Sequence, residues 1–164
     1  MVADGVHVLV ALAVVFLAFR AERPEPYLVA ALAAIFPDID VYLLPVLVDS
    51  GYVHGPVWAH RGMTHSLLGG CVVVLGLSYF GPWRAAAAGF ISHIALDFVT
   101  GGVYLLAPVT SVRYGVSGGW LLLNMLASVV SVTVILTGSR YLRTEGSLDR
   151  SPGDVADAFT DRFG

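Results

Sequence analysis

Seven ionisable side chains lie in or beside otherwise apolar stretches of this 164-residue sequence. Imidazole and carboxylate groups are the ligands that borderline and hard divalent cations take, and burying them within a bilayer is costly without compensation. We therefore predict a single intramembrane metal site, with zinc as the preferred ion and manganese as the alternative. Its predicted ligands are His7, Asp38, Asp40, His60, His65, His93 and Asp97.

The composition indicates a membrane setting for that site. Hydrophobic residues make up 57% of the chain and charged residues 13%, a combination that soluble domains rarely show. The formal net charge of −3 disfavours nucleic-acid binding. Because no interdomain linker interrupts the apolar region, we expect one transmembrane domain over residues 1–138, followed by a polar cytoplasmic tail over residues 139–164.

Five apolar stretches predict an all-α fold, a polytopic bundle of about five transmembrane helices whose second helix is broken at Pro37. Arginines cluster after the first and last stretches and in the turn before the fourth, so the positive-inside rule puts the N-terminus outside and the C-terminus in the cytoplasm. At about 1.5 Å of rise per residue, the candidate ligands then share the outer half of the membrane. The stretches cover residues 6–19, 27–48, 64–80, 83–109 and 120–137.

Local spacing supports two pairs of ligands. His93 and Asp97 are four residues apart and share a helix face, although a histidine–carboxylate hydrogen bond between helices is the alternative. Asp38 and Asp40 would diverge on a regular helix, but a break at Pro37 lets them converge. Their alternative role is to cap a restarted helix and supply its first-turn acid.

The stretch 60–66 is predicted to be a loop that runs into a helix, capped by Thr64 or Ser66, with Gly62 able to adopt a left-handed conformation. Arg61 offers a planar fork for a phosphate or carboxylate beside two histidines. The alternative role of Arg61 is that of an interfacial arginine that pairs with a lipid headgroup or with Asp49. By contrast, His54 lies among turn formers and is predicted to be exposed, and His7 could equally be an interfacial histidine.

The motifs and their order resemble those of one family. Over roughly residues 5 to 110 the chain resembles the YdjM-like membrane-bound, metal-dependent hydrolases, which are described as LexA-binding inner-membrane proteins. The resemblance implies that the seven residues form a metal-binding and catalytic set in the inner membrane. It rests on His7 and on the motifs PDID at 37–40, HRGMTHS at 60–66 and SHIALD at 92–97.

The expected activity is hydrolysis of a lipid-linked ester or phosphoester delivered from the bilayer. Seven ligands exceed the four of a tetrahedral zinc, so we prefer two cations over one, with a metal-activated water as nucleophile. Asp40, Arg61 and Asp97 are the expected catalytic residues: Arg61 neutralises developing charge, and a carboxylate that does not bind metal acts as base or orients a histidine. The rivals are a metal-binding transport or sensing protein and a polar cluster that only joins helices.

Overall fold

The computed structural model describes residues 3–148, and within that range it is helical, with one isolated antiparallel bridge between Val103 and Tyr114 and no β-strand. Short 3-10 turns lie at Phe36–Ile39, Pro56–Trp58 and Met63–His65. The α-helices are α1 (Asp4–Phe19), α2 (Glu25–Ile35), α3 (Asp40–Asp49), α4 (Leu67–Leu77), α5 (Trp83–Thr100) and α6 (Trp120–Leu148).

The second predicted helix is broken where the sequence indicated. The turn Phe36–Ile39 joins α2 directly to α3, so that the described chain has five helical segments. Pro37 has no N–H, and the N–H of Asp40 bonds to the carbonyl of Pro37 in the tighter 3-10 pattern. As a result Asp38 and Asp40, two residues apart, are both buried, with exposed fractions of 4% and 1%.

Small residues let the central helices approach one another closely. Helix α2 packs against α5, and α1 packs against both. A Cβ atom on Gly89 would overlap the carbonyl of Ala30, so only glycine permits this contact between α5 and α2. The buried core is correspondingly rich in alanine and valine; it consists of Ala11, Val15, Val29, Ala30, Ala33, Ala34, Val73, Ala85, Ala86 and Phe90.

Two of the helical segments are long and apolar enough to cross a membrane: Glu25–Asp49 and Trp120–Tyr141. The segments Asp4–Phe19 and Leu67–Leu77 are apolar but shorter. The five-span topology, with the N-terminus outside, therefore stays a prediction. Helix α6 continues to Leu148, past the predicted start of the tail, and the rest of the predicted tail lies outside the described residues.

The predicted apolar stretch 83–109 is not one helix. Helix α5 ends at Thr100, because Gly101 follows as its C-cap and the N–H of Gly102 bonds to the carbonyl of Asp97 at 2.9 Å. Residues 101–119, here called the 101–119 loop, connect α5 to α6. The N–H of Tyr104 bonds to the carbonyl of Arg61 at 3.0 Å, which fixes this loop against the motif at 60–66.

Candidate metal centre

Four buried side chains from three separate parts of the chain converge on one point. The His65 Nε2 atom lies 3.4 Å from Asp38 Oδ1, 3.2 Å from Asp97 Oδ2 and 3.1 Å from His93 Nε2. The His93 Nε2 atom lies 3.8 Å from Asp38 Oδ1 and 3.6 Å from Asp97 Oδ2. We call these residues, Asp38, His65, His93 and Asp97, the central quartet; their ligand atoms all lie within 4.8 Å of one another.

The central quartet fits a divalent cation by spacing and by chemistry. Ligand atoms about 2.0–2.1 Å from a tetrahedral zinc lie about 3.3 Å from one another, which is close to the separations of 3.1–3.8 Å within the quartet. Both carboxylate oxygens of Asp38 and one of Asp97 are buried without a hydrogen-bond partner. Since unsatisfied buried carboxylates are costly, a cation at this point would satisfy them.

The charges near the quartet also favour a cation. Asp38, Asp40 and Asp97 are buried carboxylates, and Arg61 is the one buried guanidinium among the described residues. With neutral imidazoles, two negative charges in this region have no positive partner. Such a concentration of buried charge is costly unless a cation compensates it.

A backbone carbonyl orients His93. The His93 Nδ1 atom lies 2.6 Å from the carbonyl oxygen of Ala34, to which Nδ1–H donates. Ala34 lies in the last turn of α2, whose carbonyls have no partner within their own helix. In a neutral imidazole this bond leaves Nε2 as the lone-pair nitrogen, and Nε2 faces the quartet. The His93 Nε2 atom lies 3.6 Å from Asp97 Oδ2, which is beyond hydrogen-bond distance.

A short relay orients His65 in the same way. The Thr64 hydroxyl donates to Asp40 Oδ2 at 2.7 Å and lies 2.9 Å from His65 Nδ1. Because its proton is used on Asp40, Thr64 Oγ1 accepts from His65 Nδ1–H. The His65 Nε2 atom is then free of a proton and faces the central quartet. The sequence pattern predicts Thr64 or Ser66 as the cap of the following helix, and the side chain that caps α4 is Ser66, which accepts from the N–H of Gly69.

Asp40 is already engaged by protein donors. Its Oδ1 atom lies 2.8 Å from His60 Nδ1, and its Oδ2 atom also accepts the Arg61 N–H at 3.1 Å. Asp40, His60 and His65 form a second group of ligand atoms within 4.8 Å, in which His60 is the partly exposed member. His65 is therefore common to the two groups, and Asp40 accepts hydrogen bonds from residues of the motif at 60–66.

Arg61 points inward and not toward a lipid headgroup or Asp49. It is 4% exposed, and its Nη2 atom donates to Asp97 Oδ1, the oxygen other than the one that faces the quartet imidazoles. Arg61 itself takes the left-handed conformation, with φ at 65°, whereas Gly62 has φ at −90°. The left-handed backbone expected at Gly62 is thus one residue earlier, where it turns the guanidinium into the bundle.

His7 lies against the quartet. It is fully buried in the first turns of α1, and its ring stacks on that of His93 with centroids 3.9 Å apart. Its Nε2 atom is 3.8 Å from Asp97 Oδ1, and neither ring nitrogen has a hydrogen-bond partner. All seven predicted residues thus lie together. The histidine predicted to be an exposed loop residue, His54, is exposed.

Two apolar cavities open beside this cluster. One, of about 520 Å³, reaches Asp40 and His60 and is otherwise lined mainly by apolar side chains such as Leu44, Val48 and Trp58. The other, of about 330 Å³, lies on the Asp38 side of the broken helix. Both volumes are within or near the range of small-molecule sites. The polar centre is therefore bordered by space suited to apolar groups.

Replacing Asp40 with asparagine tests whether this carboxylate positions the ligands. The amide keeps the shape but accepts more weakly, so the His65 ring loses part of its orientation. We expect metal affinity about 10–100-fold lower, as for other groups that orient metal ligands. Competition with a chelator measures it. Asp49→Asn, at the exposed end of α3, is the matched control and should leave affinity unchanged. An unaltered affinity in Asp40→Asn would contradict the positioning role.

Comparison with known proteins gives one family. The model of a family described as YdjM inner membrane protein matches residues 1–148, which confirms the resemblance seen in the motifs. No curated protein and no solved structure matches the chain. The match includes all seven residues of the cluster.

Proposed function

The chain belongs to the YdjM inner membrane protein family, and from that premise we propose that it is a membrane-embedded, metal-dependent hydrolase. One observation carries the proposal: four buried carboxylate and imidazole groups converge within 4.8 Å, and carboxylate oxygens among them lack hydrogen-bond partners. Zinc suits this mixture of nitrogen and oxygen ligands best, and manganese is the alternative.

One ion per chain accounts for the contacts better than two. Asp40 already accepts from the Arg61 N–H and the Thr64 hydroxyl and pairs with His60. His65 can present only one lone-pair nitrogen while neutral, and the Thr64 relay directs that nitrogen to the central quartet. A second cation at Asp40 and His60 would have to displace these bonds. The proposal is therefore a mononuclear centre in place of the two-cation centre expected from the ligand count.

Embedding in the membrane is supported by exposed apolar surface. Tyr42 on α3 is 75% exposed, Leu75 on α4 is 72% exposed and Leu122 on α6 is 62% exposed. Apolar faces on three helices exceed what a soluble monomer ordinarily leaves in contact with water. We propose a multi-pass inner-membrane protein with its N-terminus outside, as the arginine distribution predicts.

Each polar residue around the quartet has a proposed role. A bound divalent cation would supply Lewis acidity and lower the pKa of a water at the centre. Arg61 holds Asp97 in place and supplies positive charge beside the reacting group. Asp40 orients His60, which is partly exposed and can pass a proton between the centre and the adjoining cavity. His7 closes the α1 side of the centre through its stack on His93.

The proposed substrate is a lipid-linked ester or phosphoester. The cavity that reaches Asp40 and His60 is lined chiefly by apolar side chains, which suits a hydrocarbon chain. A lipid could thus place its polar linkage at the cluster and its chain in the cavity.

The rival function, metal transport or sensing, is less well supported. A transport path needs polar groups that continue from the centre to the opposite face. The described core beyond the quartet is instead formed by alanine, valine and phenylalanine side chains from four helices. A cation leaving the quartet in that direction would meet no ligand within the described core.

Elemental analysis of the detergent-purified protein, followed by a substrate screen, tests the proposal. We expect about one zinc or manganese ion per chain, and metal-dependent hydrolysis of a lipid ester or phosphoester presented in mixed micelles. Two ions per chain would contradict the mononuclear centre. Absence of metal after loading, or turnover of soluble phosphoesters with none of any lipid substrate, would contradict the proposed function.

A further inference from the structure

A second arginine lies beside the Arg61–Asp97 pair. Arg113, in the 101–119 loop, donates from Nε to the carbonyl of Gly102 at 3.2 Å, which holds its guanidinium over the end of α5. Its side chain forms no ion pair with the carboxylates whose side chains the structure describes, and residue 113 is exposed. The remaining donors of this planar group therefore face solvent or a ligand.

The two guanidinium groups approach each other beside Gly101. A Cβ atom on Gly101 would lie 2.5 Å from Arg61 Nη1 and 3.7 Å from Arg113 Nη2, so the groups converge where a side chain is missing. Two guanidinium groups this close repel each other unless an anion lies between them. The nearby carboxylate of Asp97 already binds Arg61 and belongs to the quartet.

We propose that Arg113 and Arg61 together form a seat for a phosphate group over Gly101. The inference rests on the proposed function, because it narrows the substrate from esters in general to phosphoesters. Guanidinium forks match phosphate oxygens in geometry as well as charge. Arg61 Nη1, the atom nearest Gly101, makes only a long contact of 3.4 Å to the carbonyl oxygen of Asp97, which leaves a donor of the inner arginine for the same ligand. Arg61 also binds Asp97, which belongs to the central quartet. The Asp97 carboxylate therefore lies between a phosphate in this seat and the proposed metal centre.

Binding of inorganic phosphate to the full chain tests the seat. Calorimetry on the metal-loaded protein in phosphatidylcholine nanodiscs is compared between wild type, Arg113→Gln and Arg113→Lys. We expect about 10–100-fold weaker binding in Arg113→Gln, the loss of one charge-assisted contact. Arg113→Lys keeps the charge without the fork and should fall between the two. Arg84→Gln, at the opposite end of α5, is the control and should bind as wild type does.

Metal content separates this inference from the proposed function. All three variants should keep the metal of the wild type, because neither Arg113 nor Arg84 belongs to the quartet. If the wild type binds no metal, the proposed function is overturned. If metal-loaded Arg113→Gln binds phosphate as tightly as the wild type does, only the phosphate seat is overturned. The seat is also overturned if the metal-loaded wild type binds no phosphate, or if Arg84→Gln weakens binding equally.

Nanodiscs that contain phosphatidic acid identify the source of the phosphate. If phosphatidic acid competes with inorganic phosphate for binding to the wild type, and competes less in Arg113→Gln, the natural ligand of the seat is a lipid headgroup. Undiminished binding of inorganic phosphate in these nanodiscs indicates a soluble phosphate compound as the ligand of the same seat.

Discussion

Replacing His65 with alanine is expected to weaken metal binding about 100-fold and to reduce any hydrolytic activity with it. The His65 Nε2 atom lies within 3.4 Å of one ligand atom from each of the other three quartet residues, so no other side chain is as central. If the binding free energy of a structural zinc site is divided equally among four ligands, each ligand contributes about 3 kcal/mol. Loss of one ligand then lowers the metal affinity about 100-fold. Chelator competition on the purified variant measures the loss.

His54→Ala is the matched control for that experiment. His54 is an exposed histidine in the loop after α3 and lies outside both ligand groups, so its removal should leave metal affinity and activity unchanged. Equal losses in the two variants would indicate a general effect on folding. Retention of full metal affinity in His65→Ala would contradict the metal centre and leave the cluster as a polar contact between helices.

That the residues of the site lie together could be predicted from the sequence because charged and imidazole groups are costly in apolar segments. Asp38 and His93 stand out among alanines, valines and isoleucines, and a cluster explains their cost better than separate roles do. The break of the second helix at Pro37 could also be predicted from the sequence, since proline lacks the N–H that a helix needs. Residue type and local backbone chemistry sufficed for these features.

The contacts behind the proposed division of the cluster into ligands and orienting groups could not be predicted from the sequence. Whether Asp40 binds metal or accepts hydrogen bonds depends on Thr64 and on the backbone N–H of Arg61, which approach it from another segment. The carbonyl of Ala34 has no signal of its own in the sequence, because every residue carries one. The predicted dinuclear centre followed from counting ligand types without this information.

The first part of the 101–119 loop, residues 101–109, is predicted as a continuation of the fourth apolar stretch because its composition is largely apolar. Val103 and Ala107 are buried, and their segment looks like a continuation of α5 by hydrophobicity alone. The signal against a helix was the pair Gly101 and Gly102, which take positive φ angles of 159° and 81°. The backbone bonds that follow, from Tyr104 to Arg61 and from Leu67 to Leu105, depend on distant partners and are not visible in local pattern.

Replacing Arg61 with glutamine is expected to destabilise the metal-free protein strongly. Arg61 and Asp97 are both buried, and removal of one partner leaves the other charge without compensation. Breaking a buried pair in this way costs about 3–5 kcal/mol in the free energy of unfolding. Denaturant unfolding in detergent with a chelator present measures the change, and Arg84→Gln should stay within about 0.5 kcal/mol of wild type.

Two further measurements separate charge from packing in that result. The double variant Arg61→Gln with Asp97→Asn leaves neither charge unpaired, so it should be more stable than Arg61→Gln alone, and the cycle gives the interaction energy. A saturating divalent cation should also restore part of the stability of Arg61→Gln, because the cation binds the folded state and offsets the unpaired carboxylate. Equal stability of the single and double variants, with no gain from metal, would show that Arg61 acts through packing and not through its charge.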